Sequence, residues 1–155
     1  MKTITTEEIL KTAIHFEELS FKFYKRLMET VLDDMTKDAL DFLSREELKH
    51  KEFLVNYLQG KLTAKTIDLS QVHDGKIVEA FQAPATAPDL LQQDAFLLAA
   101  EREKLSHDFY LKLAGIHPEG EVRELLKKLA LEELAHKEKV EYLYVNAAFP
   151  QTSGG

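Results

Sequence analysis

One stretch of the sequence occurs twice, and this repeat constrains the fold more than any other feature. The tetrapeptide Glu47-Leu48-Lys49-His50 returns 86 positions later, from 47 to 133, as Glu133-Leu134-Ala135-His136. The similarity extends upstream at the same offset without a gap, so the spacing from Glu17 to Glu47 equals that from Glu103 to Glu133. The chain is therefore predicted to contain two copies of one helical hairpin, each with a single Glu on its first helix and a Glu-x-x-His motif on its second.

Apolar periodicity and capping residues predict four helices. Thr5 and Glu8 have capping-box spacing at the start of the first helix. Gly60, which easily adopts the left-handed conformation that ends a helix, closes the second. The four helices are predicted to run from Thr5 to about Val31, from Asp33 to Gly60, from Pro88-Asp89 to Gly115, and from 117–119 to just before Phe149.

Residues 61 to about 87 interrupt the helical pattern and are predicted to form a long crossover, with one short helix or extended piece. Such a connection is expected where the second hairpin must lie beside the first in the complementary direction. Residues 151–155 are predicted to be a disordered tail. Residues 1–150 are then one all-α domain, a four-helix bundle built from two repeated hairpins.

Charge and cysteine content exclude several classes of function. The net charge of -7 disfavours nucleic acid and anionic membranes as partners, because neither attracts an acidic surface. The 155 residues contain no cysteine, which excludes disulfides, thiolate metal sites and a thiol nucleophile. The acidic start does not resemble a secretory signal, and no apolar run is long enough to span a bilayer, so a cytoplasmic protein is expected.

Polar residues interrupt each of the four predicted apolar faces at a similar height. Glu17 falls in the middle of the apolar stripe of the first helix, and Glu103 takes the same place on the third. A Glu and a His three positions apart lie on one helix face, about 5–6 Å from each other. The side chains predicted to converge inside the bundle are Glu17, Glu47, His50, Glu103, Glu133 and His136.

Four carboxylates in one interior cannot all stay ionised unaided, because each buried unpaired charge costs on the order of several kcal/mol. No Lys or Arg occupies the predicted stripes. Either the acids take up protons, which crowding of like charges favours, or cations bind. Glu and neutral His are good ligands for divalent first-row metals, and two such ions would offset four negative charges. The metal-free alternative is a bundle used for dimerisation, with acids that are solvated or hydrogen-bonded.

This constellation resembles the ferritin-like di-metal carboxylate bundles, and among them the rubrerythrin-type domains. In those domains the Glu of the first and third helices is followed by Phe-Tyr, as in Phe23-Tyr24 and Phe109-Tyr110 here. The resemblance covers about residues 5 to 146 and implies a ferritin-like di-metal-binding domain over residues 1–150. It implies bridging roles for Glu47 and Glu133, terminal ligand roles for Glu17 and Glu103, one imidazole per metal from His50 and His136, and hydroxyls that orient carboxylates from Tyr24 and Tyr110.

The resemblance also implies a non-haem di-iron oxidoreductase that reduces hydrogen peroxide or dioxygen with electrons from an external donor protein. The expected cofactor is two iron ions, with manganese or a mixed pair as alternatives. The sequence departs from the family pattern twice. It lacks the cysteines of a rubredoxin domain, and it has Ser106 and His107 where the third helix commonly supplies an additional carboxylate. The family's exact route of peroxide reduction is therefore in doubt.

Several alternatives stay open at this point. The chain could be an iron-binding or storage protein with ferroxidase activity, or carry a dimanganese site with catalase-like chemistry. Tyr24 and Tyr110 could be core packing alone, and His107 could be a further ligand, a proton relay or a satisfied core residue. A homodimer is expected, with or without exchange of hairpins. The acidic neighbours of the predicted ligands are expected on the solvent side, with Glu18 pairing with Lys22: Glu18, Glu46, Glu101 and Glu132.

Overall fold

The computed structural model describes residues 4–61 and 90–148, and this part of the chain forms four α-helices. α1 packs against α2 and α3 against α4, so each copy of the repeat is one helical hairpin. The prediction of an all-α, ferritin-like four-helix bundle made of two hairpins is confirmed. The helices are α1 Thr6–Thr30, α2 Asp34–Leu58, α3 Leu90–Ile116 and α4 Glu121–Ala148.

The first hairpin begins and ends as its capping residues predict. Thr5 forms a complete capping box with Glu8 at the start of α1. The Asp33 carboxylate accepts from the Thr36 backbone N–H at 2.9 Å at the start of α2. Gly60 follows α2 with a φ of 77°, in the left-handed region that a residue with a Cβ adopts only with strain.

The second hairpin differs from its predicted bounds at the turn. The His117 N–H still bonds to the Leu113 carbonyl at 3.2 Å, so α3 continues through Ile116. The first backbone bond of α4 joins the Glu124 N–H to the Gly120 carbonyl at 3.2 Å, so α4 starts at Glu121, slightly later than predicted. The predicted crossover, the predicted start of the third helix at Pro88-Asp89 and the predicted tail lie outside the described residues.

Two separate apolar clusters stabilise the bundle, and a layer of polar side chains lies between them. Ala13 and Leu129 belong to one cluster, which fills the end where α1 begins and α2 ends. Leu43 and Val140 belong to the other, at the opposite end. Burial of apolar surface at both ends contributes most of the folding free energy and holds the intervening polar layer out of water.

Aromatic and cationic side chains join α1 to α3 beside this layer. The Phe16 and Phe109 rings stack with centroids 4.0 Å apart. The Arg102 guanidinium lies 4.6 Å from the Phe16 ring and donates to the Ser20 hydroxyl at 2.8 Å. These contacts fix the two hairpins against each other at the height of the polar layer. Within the described ranges, no helix combines the length and the hydropathy needed to cross a membrane.

Candidate metal centre

The polar layer consists of the six predicted side chains, and all four helices contribute to it. α1 and α3 supply one Glu each, and α2 and α4 each supply a Glu and a His one helical turn apart. None of the six side chains belongs to a residue that is more than 4% exposed. The structure therefore brings together Glu17, Glu47, His50, Glu103, Glu133 and His136.

These side chains form two groups of four, and two carboxylates are common to both. In each group, one ligand atom per residue lies within 4.8 Å of the others. Glu47 and Glu133 belong to both groups, as the bridging carboxylates of a dinuclear centre would. The first group is completed by Glu17 and His50, and the second by Glu103 and His136.

The two imidazoles face the shared carboxylates from opposite helices. His50 Nδ1 lies 2.9 Å from Glu133 Oε1 and 3.4 Å from Glu17 Oε1. His136 Nδ1 lies 3.7 Å from Glu103 Oε2 and 3.8 Å from Glu47 Oε1. The two rings are nearly parallel, with centroids 6.1 Å apart. In both groups it is Nδ1 that is directed at the carboxylate oxygens.

Hydrogen bonding within the protein leaves this layer incomplete. Nine of the ten fully buried side-chain N and O atoms without a hydrogen-bond partner, among the described residues, belong to these six side chains. Leaving one buried polar group unsatisfied costs about 1–3 kcal/mol, and more if it is charged. Two divalent cations would satisfy most of these oxygens and nitrogens at once, with hard oxygen and borderline nitrogen donors suited to iron, manganese or zinc. The residues present thus fit a dinuclear metal site.

Two buried tyrosines tie each hairpin to a carboxylate of the other. The Tyr24 hydroxyl on α1 donates to Glu103 Oε1 at 2.7 Å, and it also lies 3.4 Å from the Ala99 carbonyl. The Tyr110 hydroxyl on α3 donates to Glu17 Oε1. Each bond holds one carboxylate oxygen and leaves the other buried without a partner. The tyrosines therefore orient the carboxylates of Glu103 and Glu17 across the bundle.

Burial and crowding divide the carboxylates into two kinds. Burial raises the pKa of Glu47 and Glu133 well above the usual value, and the neighbouring carboxylates raise it further. Burial also acts on Glu17 and Glu103, but interactions with the neighbouring Glu, His and Tyr side chains outweigh it. The pKa of Glu17 is lowered, and that of Glu103 falls to about 2. Without metal, Glu47 and Glu133 therefore take up protons more readily than Glu17 and Glu103.

Glu132 is the residue that the sequence interpretation missed. It was expected on the solvent side, but it is 4% exposed and its Oε2 is hydrogen-bonded to His50 Nε2. Although burial lowers the pKa of His50, the carboxylates of Glu132 and Glu17 raise it well above the usual value. The available signal was in the repeat: Glu46 has Lys49 three positions on, whereas Glu132 has Ala135 there.

The remaining acidic and histidine neighbours lie outside the two groups. Glu18 pairs with Lys51 of α2 at 2.7 Å, and the predicted partner Lys22 on the same helix contributes a weaker electrostatic attraction. This difference arises because the antiparallel α2 brings a lysine within reach, which spacing along α1 cannot reveal. His107 Nδ1 lies 2.7 Å from the Ala130 carbonyl, and this residue belongs to neither group.

A four-helix bundle with one Glu on each of two helices and Glu-x-x-His on each of the other two defines the ferritin-like class of metal-binding bundles. The chain belongs to the rubrerythrin family, whose family model matches residues 8–144. It is similar to the solved structure of a hypothetical protein from Pyrococcus furiosus, with 26% identity and a TM-score of 0.63 over 96% of this chain and 93% of that one. No curated protein matches the chain significantly.

The stability of the metal-free protein is expected to fall as the pH rises from 4.5, the ordinary pKa of Glu, through neutral pH. The raised pKa values of Glu47, Glu133 and His50 mean that the folded state binds protons more tightly, so their contribution is complete below the unfolded pKa and is lost as pH rises. The lowered pKa of Glu103 has the opposite effect on stability. Its contribution is complete above the usual Glu pKa and is lost as the pH falls toward about 2.

Thermal melts of chelator-treated protein across this range would measure the effect. A Glu47→Gln/Glu133→Gln double variant is the control, because it cannot ionise at the two shared positions and should show a shallower slope. The expectation is wrong if the melting temperature is flat or rises with pH in the wild type.

Removing either tyrosine hydroxyl is expected to weaken metal binding at one group only. Tyr24→Phe frees the Glu103 carboxylate and Tyr110→Phe frees that of Glu17, and loss of such an orienting partner typically costs about 10–100-fold in affinity. Titration of the metal-free variants with Co²⁺, followed by absorption, would measure the change. Tyr57→Phe, at a half-buried tyrosine in neither group, is the matched control, and equal losses in all three variants would contradict the expectation.

Proposed function

We propose that this protein is a non-haem di-iron oxidoreductase of the rubrerythrin type, which reduces hydrogen peroxide or dioxygen with electrons from an external donor. The observation that carries the proposal is the pair of buried four-residue groups that share Glu47 and Glu133. Membership of the rubrerythrin family supports iron as the metal. Glu17 and His50 would hold one ion, Glu103 and His136 the other, and the shared carboxylates both.

When bound, two ferrous ions would supply two electrons to hydrogen peroxide, so that the O–O bond breaks and two protons complete two waters while both ions become ferric. The protein's own residues position the metal ligands and exclude bulk water. Tyr24 and Tyr110 fix the terminal carboxylates, and the apolar clusters above and below keep bulk water from the layer. Preorganised ligands of this kind lower the reorganisation that accompanies each change of oxidation state.

An external donor is part of the proposal, and the amino-acid composition is consistent with it. Two electrons must return to the ferric centre after each turnover, and the 155 residues contain no cysteine to ligate a second iron centre. We propose a small redox protein as that donor, in the cytoplasm. We further propose a homodimer. Both hairpins of one chain contribute to the six-residue layer, so exchange of hairpins between two copies is not needed to complete it.

The test is a single-turnover experiment on anaerobically loaded ferrous protein. One equivalent of hydrogen peroxide per chain should oxidise both irons within seconds, and an added reductant should support repeated consumption of peroxide. Glu133→Ala, which removes a carboxylate common to both groups, should abolish this oxidation, and Glu138→Ala on the exposed side of α4 should not.

Other outcomes would replace the proposal with a different function. Accumulation of many irons per chain without reductant-dependent turnover would identify a storage protein with ferroxidase activity. Manganese in protein purified from its native host, with disproportionation of peroxide, would identify a catalase-like site. Light scattering during gel filtration would measure the oligomeric state, and a monomer would contradict the proposed dimer.

A further inference from the structure

The two metal positions are equivalent in sequence but not in structure. At the repeat offset, Glu46 corresponds to Glu132 and His50 to His136. His50 Nε2 is hydrogen-bonded to Glu132, on the side of the ring opposite the shared carboxylates. The symmetric bond, from His136 Nε2 to Glu46, is absent, and His136 Nε2 is buried with no hydrogen-bond partner.

The difference arises from one residue on the surface of the second helix. Glu46 Oε1 accepts from Lys49 Nζ at 3.0 Å, and the side chain of Lys49 is 65% exposed, so this pair lies toward solvent. The position equivalent to Lys49 is Ala135, which offers no cation to Glu132. The Glu132 side chain is 5% exposed against 14% for Glu46, and it turns inward to the imidazole of the other hairpin.

A carboxylate behind an imidazole changes the ligand in two ways. It fixes the ring orientation and the tautomer, because Nε2 must carry the hydrogen that Glu132 accepts, and this leaves the Nδ1 lone pair directed at the metal position. It also makes Nδ1 a stronger donor toward a cation. His136 has neither advantage in this structure.

We propose that the two metal positions bind with unequal affinity, and that Glu132 is the positioning residue that makes the position of Glu17 and His50 the tighter one. The inference rests on the proposed metal binding but not on the redox reaction. Unequal binding of two ions by a protein that does not reduce peroxide would support the inference and contradict the proposed function. Peroxide reduction by a protein that binds both ions with equal affinity would do the reverse.

The test uses Co²⁺ alone as the probe, added to metal-free full-length protein in a calorimeter with absorption recorded in parallel. The wild type should bind two ions in steps that differ by about tenfold or more. Glu132→Ala should weaken the tighter step by about 10–100-fold, the usual loss on removing such a partner, and move the weaker step by less than about threefold. Glu132→Gln retains an acceptor oxygen and should recover a large part of the loss.

Glu46→Ala is the matched control, because it removes the same side chain at the equivalent position of the other hairpin. It should leave both steps within about threefold. Equal effects of Glu132→Ala and Glu46→Ala, or a single class of binding in the wild type, would overturn the proposal. Lys49→Ala should release Glu46 toward His136 and narrow the gap between the steps, and an unchanged gap would contradict the proposed origin of the inequality.

A double-variant cycle separates positioning from general destabilisation. If Glu132 acts through His50, adding Glu132→Ala to His50→Ala should cost less than about threefold further in affinity, because the imidazole it supports is already gone. Adding it to His136→Ala should cost as much as in the wild type. A similar additional loss in both backgrounds would show that Glu132 has only a structural role.

Discussion

Replacement of Glu47 by alanine is expected to reduce the metal content from two ions per chain to at most one weakly held ion. Glu47 belongs to both groups of four, so the substitution removes a ligand from each position at once. A shared anionic carboxylate also offsets the repulsion between two neighbouring cations, and the substitution leaves Glu133 alone of the shared pair to do so. Metal analysis by mass spectrometry after anaerobic loading and gel filtration would measure the change.

Glu46→Ala is the control for that experiment, since the two residues are adjacent on one helix but differ in direction. Glu46 is half-buried and pairs with Lys49 at the surface, and it belongs to neither group. Its replacement should leave two ions per chain. Equal losses in the two variants would refute the assignment of the inward face of α2. Retention of two ions by Glu47→Ala would refute the bridging role.

Removal of both metal ions is expected to lower the melting temperature by about 15–30 °C at neutral pH. A ligand present at a thousand times its dissociation constant stabilises the folded state by about 4 kcal/mol, so two ions contribute about 8 kcal/mol. For a domain of this size, 1 kcal/mol corresponds to a shift of about 2–4 °C. Calorimetric melts with and without chelator would measure the difference, and a change below about 2 °C would show that no metal binds this layer.

The Glu47→Gln/Glu133→Gln variant makes the physical origin of this stabilisation testable. It should lose the response to metal, because the shared positions no longer carry anionic ligands. Its metal-free form should be at least as stable at pH 7 as the metal-free wild type, since burial and neighbouring carboxylates disfavour ionisation at both positions. A metal-free double variant that is much less stable than the metal-free wild type would contradict this expectation. It would show that the two carboxyl groups stabilise the fold without metal.

The tyrosines show which features of the site can be predicted from sequence spacing and which cannot. The position of Tyr24 two turns from Glu17 predicts that both face the interior, and the structure agrees. Spacing along α1 cannot specify which carboxylate the hydroxyl meets. The structure pairs Tyr24 with Glu103 and Tyr110 with Glu17, because the hydroxyl of each long side chain extends across the bundle to the opposite hairpin.

The sequence by itself determined the four helices, their inward faces and the six polar side chains that interrupt those faces. These follow from the 3.6-residue period and the gapless repeat, both of which are local properties of the chain. Tertiary structure alone decided that Glu132 bonds to an imidazole in the interior, whereas the half-buried Glu46 pairs with a lysine at the surface. The two residues occupy equivalent helical positions, and the choice depends on whether an ammonium group at the surface or an imidazole on another helix is the nearer partner.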